Sequence, residues 1–334
     1  MFLPAEMDAL VADGGGLAGL RAARVPVPRP GRGQVLVEMR AAPCNPADLL
    51  YLDGRYGITR PFPATPGFEG AGVVVASGGG LLARWLVGRR VACGGHGCTG
   101  TWATYCVADA NQCIPLRSAL SFDEGATALS NPMTALALVA LMRGGGHRAY
   151  VQTAAAGQLG RMIRSVARRH GLAGIHVVRR AAQADSLRKL GARDVLVSAD
   201  AGFSAQLAAR CREKGASVAL DAVAGAMTGQ LAAALGPRGE VVVYGALSGD
   251  PCGGIDPMAL CFGAKRVRGF ELVGHLRTLG LLGKIRLGLA AQALVVSGEV
   301  ATAVRARLAL AEAPAALAEY EKSMSEGKVL LLPR

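Results

Sequence analysis

Several groups of residues in this 334-residue chain have types and spacings that could do chemistry. The stretch TPGFEGAG, Thr65 to Gly72, sets Glu69 beside Phe68 just before the apolar run VVVA. A glutamate there could be a catalytic acid, a metal ligand or a structural carboxylate at the head of a strand. In AAAGQLG, Ala154 to Gly160, the pattern is that of a phosphate turn between a strand and a helix. Gly157 would let the backbone approach a pyrophosphate, and Gly160 would let the helix pack tightly on the strand. The helix N-terminus offers free N–H groups to the phosphates. Ala156, Gly157, Gln158, Leu159 and Gly160 are the expected contacts. A fold selecting NAD carries Asp or Glu at the end of the next strand. This chain has Arg179 and Arg180 in VVRR. A guanidinium fork suits a 2′-phosphate that a carboxylate would repel, so the expected cofactor is NADPH. Tyr56 lies in DGRYG between Gly54 and Gly57, a turn that can present its ring. A phenol with a reference pKa of about 10 stays protonated at neutral pH.

Eight cysteines raise a metal or disulfide reading. Cys93, Cys98, Cys106 and Cys113 are spaced C-x4-C-x7-C-x6-C, unlike zinc patterns built on C-x2-C pairs. Cys106 and Cys113 sit in apolar stretches suited to buried thiols.

The elements that must position these residues fall into two regimes. From about Gln34 to residue 120 the sequence reads as short strands and turns. QVLVEMRAA, GAGVVVAS, GRRVACGG and TWATYCVAD are the strands, with Gly and Pro in the gaps. After Leu120, SFDEGATALSNPMTALALVALM has helical spacing, and Ser121 with Glu124 forms a capping box. Strands and helices then alternate from RAYVQT to EVVVYGA, the pattern of βαβ units and a parallel sheet. The tail adds an amphipathic helix and a final strand that return to the first domain. The expected domains are a catalytic one over 1–120, completed by 273–334, and a dinucleotide-binding one over 121–272.

Apolar residues make up 51% of the chain, enough for a large core. The apolar stretch from Ala126 to Met142 is interrupted by Ser130, Asn131 and Pro132, whereas a membrane span needs about 20 residues. The N-terminus has acids where a signal peptide carries Lys or Arg. A soluble, cytoplasmic protein is expected. The net charge is +13, but only six of 37 basic residues are lysine, and the basic residues are scattered apart from RMIRSVARRH and VVRR. That arginine bias looks compositional, and 4% aromatic residues without a basic–aromatic stretch argue against a single-strand nucleic-acid binder.

The stretches CNPADLLYLDGRYG, TPGFEGAGVV, GTWATYCVAD, SNPMTALALV, VVRR, VVVYGALSG, GFELV and EGKVLLLP together resemble the medium-chain dehydrogenase/reductases along nearly the whole chain. The resemblance is to the zinc-independent quinone oxidoreductase and mitochondrial-type enoyl thioester reductase branch. It implies an α/β protein, a GroES-like β-rich domain joined to a Rossmann domain, with the cofactor in the cleft between them. In the zinc-dependent branch the segment like TPGFEGAG carries a ligand His followed by Glu. Here Phe68 holds that position. The cysteine ligand falls at Asn45, with Cys44 one residue out of register. The four-cysteine structural lobe is missing. A tetrahedral catalytic site needs three protein ligands, so no metal is expected and Glu69 is expected to be structural, bonding backbone or an arginine.

Without a Lewis acid, hydride addition to a carbon–carbon double bond conjugated to a carbonyl fits the remaining groups. In enoyl thioester reductases the motif like NPADLLYLDGRYG carries a proton-donating tyrosine at Tyr56. The resemblance also implies that Asn45 and Asn131, with Thr134, line the nicotinamide and substrate cleft. By residue type alone, the two Asn-Pro pairs are turn openers. The cofactor contacts implied in addition are Tyr244, Gly245, Ala246 and Leu247, then Phe270, Glu271, Leu272 and Val273, and Lys328. Two departures stand out: Ala154 where the fingerprint prefers Gly, and Glu271 where relatives often have an aromatic. The leading expectation is NADPH-dependent reduction of a trans-2-enoyl thioester carried on CoA or acyl carrier protein. The alternatives are an NADPH:quinone oxidoreductase and an NADPH-binding protein with a nucleic-acid or partner role. Relatives of this type imply a homodimer, paired through the strand near VRGFELVG.

Overall fold

The computed structural model describes residues 3–57, 61–94 and 99–333. The chain divides into two compact units, Met1–Met133 with Leu279–Arg334, and Thr134–Thr278. The strands of the first unit's leading part are β1 (Glu6–Ala12), β2 (Leu20–Pro26), β3 (Gln34–Pro43), β4 (Glu69–Ser77), β5 (Arg90–Gly94), β6 (Tyr105–Asp109) and β7 (Ile114–Pro115). Its helices are α1 (Pro46–Leu52), α2 (Leu81–Leu86) and α3 (Phe122–Ala126), and α4 (Ser130–Gly144) crosses the boundary between the units. β1 and β2 form an antiparallel hairpin. β3 pairs antiparallel with both β4 and β6, and β4 continues through β5 to β7.

Helix α1 starts where the sequence marks it. Asn45 precedes Pro46, whose missing N–H costs nothing in a first turn. The Asp48 carboxylate accepts the Asn45 backbone N–H at 2.7 Å. The apolar run after Leu120 forms two helices rather than one. The Ser121 capping box is present, with Ser121 N–H on Glu124 Oε2 at 2.8 Å and Glu124 N–H on Ser121 Oγ at 3.2 Å. α3 stops at Ala126 and α4 begins at Ser130, because Pro132 fits a first turn but not a helix interior. Phe122 and Ala126 pack with Ala41, Ala71, Leu116 and Leu332. That contact draws 121–133 into the first unit, where the sequence pattern assigned it to the second.

The second unit alternates β8 (Ala149–Gln152), α5 (Gln158–Arg169), β9 (Ala173–Val178), α6 (Ala181–Lys189), β10 (Val195–Val197), α7 (Phe203–Lys214), β11 (Val218–Asp221), α8 (Ala226–Ala234) and β12 (Glu240–Val243). It ends with α9 (Pro257–Cys261), β13 (Arg266–Gly269) and α10 (Leu272–Thr278). The six strands are parallel, in the order β10-β9-β8-β11-β12-β13. β8, β10 and β11 are buried along their whole length, as strands covered on both faces must be. The order reverses between β8 and β11, the switch point where such sheets open a crevice at their carboxyl ends.

The chain then returns to the first unit through α11 (Leu281–Val296), β14 (Val304–Ala309), α12 (Ala313–Lys322) and β15 (Lys328–Leu332). The sequence reading foresaw the last helix and strand but neither α11 nor β14. β15 pairs antiparallel with β3, Leu331 opposite Ala42, and parallel with β14. Leu10, Leu52, Trp102, Tyr320 and Leu331 share one buried cluster. β15 thereby brings residue 328 beside residue 44. No helix of the described residues is long and apolar enough to cross a membrane.

Candidate functional site

The first unit holds a buried polar cluster around Asn45. The Asn45 Nδ2 amide donates to Glu69 Oε2 at 3.1 Å. Its Oδ1 accepts from the Lys328 ammonium, which also donates to the Cys44 carbonyl at 3.1 Å. Glu69 Oε1 accepts the backbone N–H groups of Leu129 and Ser130 at 3.2 and 2.8 Å. These lie at the N-terminus of α4, where a carboxylate opposes the positive end of the helix. Glu69 is therefore bonded to backbone, to the Ser130 side chain and to an amide, with no arginine on its carboxylate among the described residues. Asp48 is fully buried and accepts from the Asn45 and Phe68 backbones, the latter at 3.0 Å.

Burial dominates the electrostatics here. It raises the Glu69 carboxyl against the stabilising Ser130, Asn45 and Lys328 contacts. It pushes Asp48 up to about 7, against the Asn45 N–H and Lys328. The same desolvation lowers Lys328, while Cys44, Glu69 and Asp48 work to keep it charged. The Cys44 thiol is raised by burial and then by Asp48. Lys328 is 5% exposed.

Tyr56 hangs from the end of α1, its backbone N–H on the Leu50 carbonyl at 3.1 Å. Gly54, with φ of 69°, makes the turn between them. The half-buried Tyr56 ring packs on Phe68 with centroids 5.2 Å apart, and Phe68 meets Tyr51 edge-on at 5.5 Å. Two neighbouring residues, Phe68 and Glu69, thus hold Tyr56 and Asn45 respectively. Asn131 follows the two backbone groups that Glu69 binds. Thr134 comes one turn later on the same helix face, and both side chains are half-buried. Among the described residues no group of three or more His, Cys, Asp or Glu could hold a metal ion. Cys98 lies outside the described residues. Cys93, Cys106 and Cys113 pack in an apolar cluster with Val35, Val37 and Val91.

In the second unit, the turn after β8 runs from Thr153 to the Gly157 cap of α5. A Cβ on Gly160 would meet Ala154 O and Ala155 backbone atoms at 2.8 Å. Only glycine allows that approach. Ala154 has φ of 49°, the left-handed conformation for which the fingerprint prefers Gly. The turn keeps its shape with alanine at a cost of about 1–2 kcal/mol. Arg179 and Arg180 are exposed at the carboxyl end of β9. Their backbone N–H groups bond Gln183 Oε1 at 3.2 and 3.1 Å. Neither guanidinium has a side-chain hydrogen bond or ion pair among the described residues. The turn and the start of α5 fit the phosphates of a dinucleotide.

Tyr244, Gly245, Ala246 and Leu247 follow the carboxyl end of β12, with Leu247 exposed. Burial raises the Tyr244 phenol, and Asp221 adds to the shift. Phe270 follows β13, and Leu272 and Val273 begin α10. Glu271 caps that helix, taking the N–H groups of Val273 and Gly274 at 2.7 and 2.5 Å. The sequence-based site residues thus lie near Asn45 and Phe68 or at the start of α4, and, in the second unit, after the carboxyl ends of β8, β9, β12 and β13. Lys328 stands in the first unit's cluster, its ammonium engaged with Asn45. Asp48 escaped the sequence reading, although its place three residues after an N-cap is a legible capping signal.

A family model described as alcohol dehydrogenase GroES-like domain matches residues 31–118. One described as zinc-binding dehydrogenase matches residues 159–280, a span that contains neither Asn45 nor Phe68. A crystal structure from Mesorhizobium loti, described provisionally as an NADPH:quinone reductase, is 34% identical over 100% of both chains, with a TM-score of 0.92. A mycobacterial protein solved in complex with NADPH is 27% identical over 98% of this chain and 100% of its own, with a TM-score of 0.84. The mitochondrial enoyl-acyl-carrier-protein reductase of Bos taurus is 32% identical over 175 residues, 50% of this chain and 45% of the relative. This chain thus matches less than half the length of that relative.

Proposed function

The chain belongs to the medium-chain dehydrogenase/reductase superfamily, and on that footing we propose that it is an NADPH-dependent, metal-independent oxidoreductase of activated carbon–carbon double bonds, acting on trans-2-enoyl thioesters. NADPH, when bound, supplies the hydride that the substrate's β-carbon accepts. Gly157, Gly160 and the start of α5 hold its phosphates, and Arg179 and Arg180 hold the 2′-phosphate. The protein's own share is to orient the thioester, stabilise the developing enolate and give a proton to the α-carbon. Tyr56 holds that proton on its phenol.

The observation that carries the reading is the Tyr56–Phe68 ring contact. Phe68 stands where the family's zinc branch has a ligand histidine, and here it supports the phenol. With Asn45 at the cysteine position, the donor set offers neither imidazole nor thiolate at those two places, and the chemistry falls to proton donors and amides.

The test follows NADPH oxidation against crotonyl-CoA, a longer enoyl-CoA, a quinone and an aldehyde. Crotonyl-CoA reduction should fall about 10²–10⁴-fold in Tyr56→Phe, with NADPH affinity unchanged. A near wild-type rate would remove Tyr56 from the reaction. The full-length match to a protein described as an NADPH:quinone reductase favours a second reading. A quinone reductase has no carbon to protonate, so its rate should be indifferent to Tyr56→Phe. We also propose a homodimer joined through β13, which is an edge of its sheet; a monomer mass in solution would exclude it.

A further inference from the structure

The Asn45 carboxamide lies between opposite charges. The Lys328 ammonium can only donate, so it must meet Oδ1, and an ionised Glu69 can only accept, so it must meet Nδ2. A flipped amide would set NH2 against ammonium and carbonyl against carboxylate. Its orientation is thus fixed by its neighbours' chemistry. Glu69 cannot swing away, because its other oxygen is held by the Leu129 and Ser130 N–H groups. Lys328 is anchored on the Cys44 carbonyl and on β15. One Nδ2 hydrogen goes to Glu69. The second has no partner among the described residues, on a side chain that retains some exposure, 9% for the residue.

A buried, charge-flanked amide is a costly feature for stability alone, since desolvating two ions often exceeds their mutual attraction. It is well suited to holding a donor in place before charge develops. We propose that Glu69 and Lys328 are positioning residues that lock the Asn45 carboxamide and aim its second N–H at the substrate's carbonyl oxygen. The inference rests on the reductase reading above and assigns that reaction's enolate donor. As the β-carbon accepts hydride, the carbonyl oxygen gains the electron pair released from the double bond. Asn45 stabilises that charge and transfers no proton. Phe68 and Glu69, side by side, then organise the proton donor and the oxyanion donor.

A double-mutant cycle on the full-length protein tests this. Asn45→Ala should lower kcat on crotonyl-CoA about 10²–10³-fold, the effect of removing one oxyanion donor. Lys328→Met and Glu69→Gln should each lower kcat at least about 10-fold alone, with the NADPH dissociation constant unchanged. In the Asn45→Ala background neither should lower kcat further, because both act through the amide. A merely structural role would give the same loss in both backgrounds, or none, and would overturn the proposal. Should Lys328→Met not fold, the Glu69→Gln arm carries the same test, with thermal melting to report its stability. A wild-type protein that reduces quinones but no enoyl thioester overturns the thioester reading; the same cycle on the quinone then supports or overturns the Asn45 clamp. Inactivity on both substrates overturns the two together.

Discussion

Two buried carboxylates, Asp221 in the second unit and Glu69 in the first, look alike in burial and differ in what surrounds them. Asp221 ends β11 and accepts four hydrogen bonds. Thr153 Oγ1 and the N–H groups of Val223 and Ala224 meet one oxygen at 3.0, 2.9 and 3.2 Å, and Thr228 Oγ1 meets the other at 2.8 Å. Every polar group it touches is a backbone or hydroxyl donor pointed inward. It ties the loops after β8 and β11 together at the switch point of the sheet. Glu69 also takes two backbone N–H groups and the Ser130 side chain, but its other oxygen goes to an amide held from behind by a buried lysine. The first arrangement has nothing left to offer a ligand. The second ends in a donor that the fold does not use. The lesson is that burial and bonding alone do not separate a structural acid from a functional one; what matters is where the network terminates.

The largest expected effect tests the structural half of that contrast. Asp221→Ala leaves two hydroxyls and two backbone N–H groups without that acceptor in a largely buried site. Unsatisfied buried groups cost about 1–3 kcal/mol each, so the second unit should lose on the order of 3–5 kcal/mol after relaxation. Thermal melting should show it as a large fall in the second unit's midpoint. Glu69→Gln keeps an oxygen for Leu129 and Ser130 and should cost less stability. Equal losses in the two variants would erase the distinction.

A second effect sets the two units against each other in pH. Asp48 is pushed up to about 7 by burial, above an unfolded value of about 3.9. The folded chain therefore keeps a proton that the unfolded chain loses. Its stabilising contribution is full below about pH 4 and is lost as pH rises through 7. His176, between Gln152, Arg164 and Asp194, goes the other way. Burial, then Arg164, push it down to about 4, below an unfolded value of about 6.5. Gln152 Nε2 also donates to its Nδ1 at 3.0 Å, which favours the neutral ring. The unfolded chain binds the extra proton in that window, so the second unit gains stability from about pH 4 to 6.5. Each limb approaches one proton, about 1.4 kcal/mol per pH unit. Hydrogen exchange on the intact chain between pH 4 and 7 should show the first unit weakening as the second strengthens. Asp48→Asn should remove the first trend and His176→Gln the second. Parallel trends in both units would contradict the linkage.

What the sequence revealed follows from how far each interaction reaches along the chain. The alternation of strands and helices after residue 149 was legible because its periods are local. So were the Ser121 capping box and the turn that Gly160 demands. The strand order was not, since pairing β8 with β11 depends on crossovers rather than on neighbours. The Asn45–Lys328 bond joins residues 283 positions apart, and no spacing rule sees it. The resemblance brought out Lys328 as a cofactor contact, while its ammonium is engaged with Asn45. Glu271 stood out only as a departure from the aromatic that relatives often carry, and its carboxylate caps α10. A single helix after Leu120 was a fair inference from apolar spacing, and the break before Ser130 turns on Pro132 and on a carboxylate 61 residues upstream.

The smallest expected effect extends the same criterion to the surface. Arg179 and Arg180 are solvent-facing cations with no partner for either guanidinium among the described residues, on a chain where Arg161, Arg188 and Arg268 find oxygen partners. If an unengaged group marks a ligand site, Arg179→Asp should raise the NADPH KM about 10-fold or more, the scale of one lost charge-assisted pair. The NADH KM should hardly move, because a carboxylate repels a 2′-phosphate and accepts from a free ribose hydroxyl. Stability should stay within about 0.5 kcal/mol, as for most exposed positions. Equal changes for both cofactors would mean that an unpartnered surface arginine is simply solvated. The criterion would then hold only in the interior, where an unengaged donor such as the second N–H of Asn45 has little access to water.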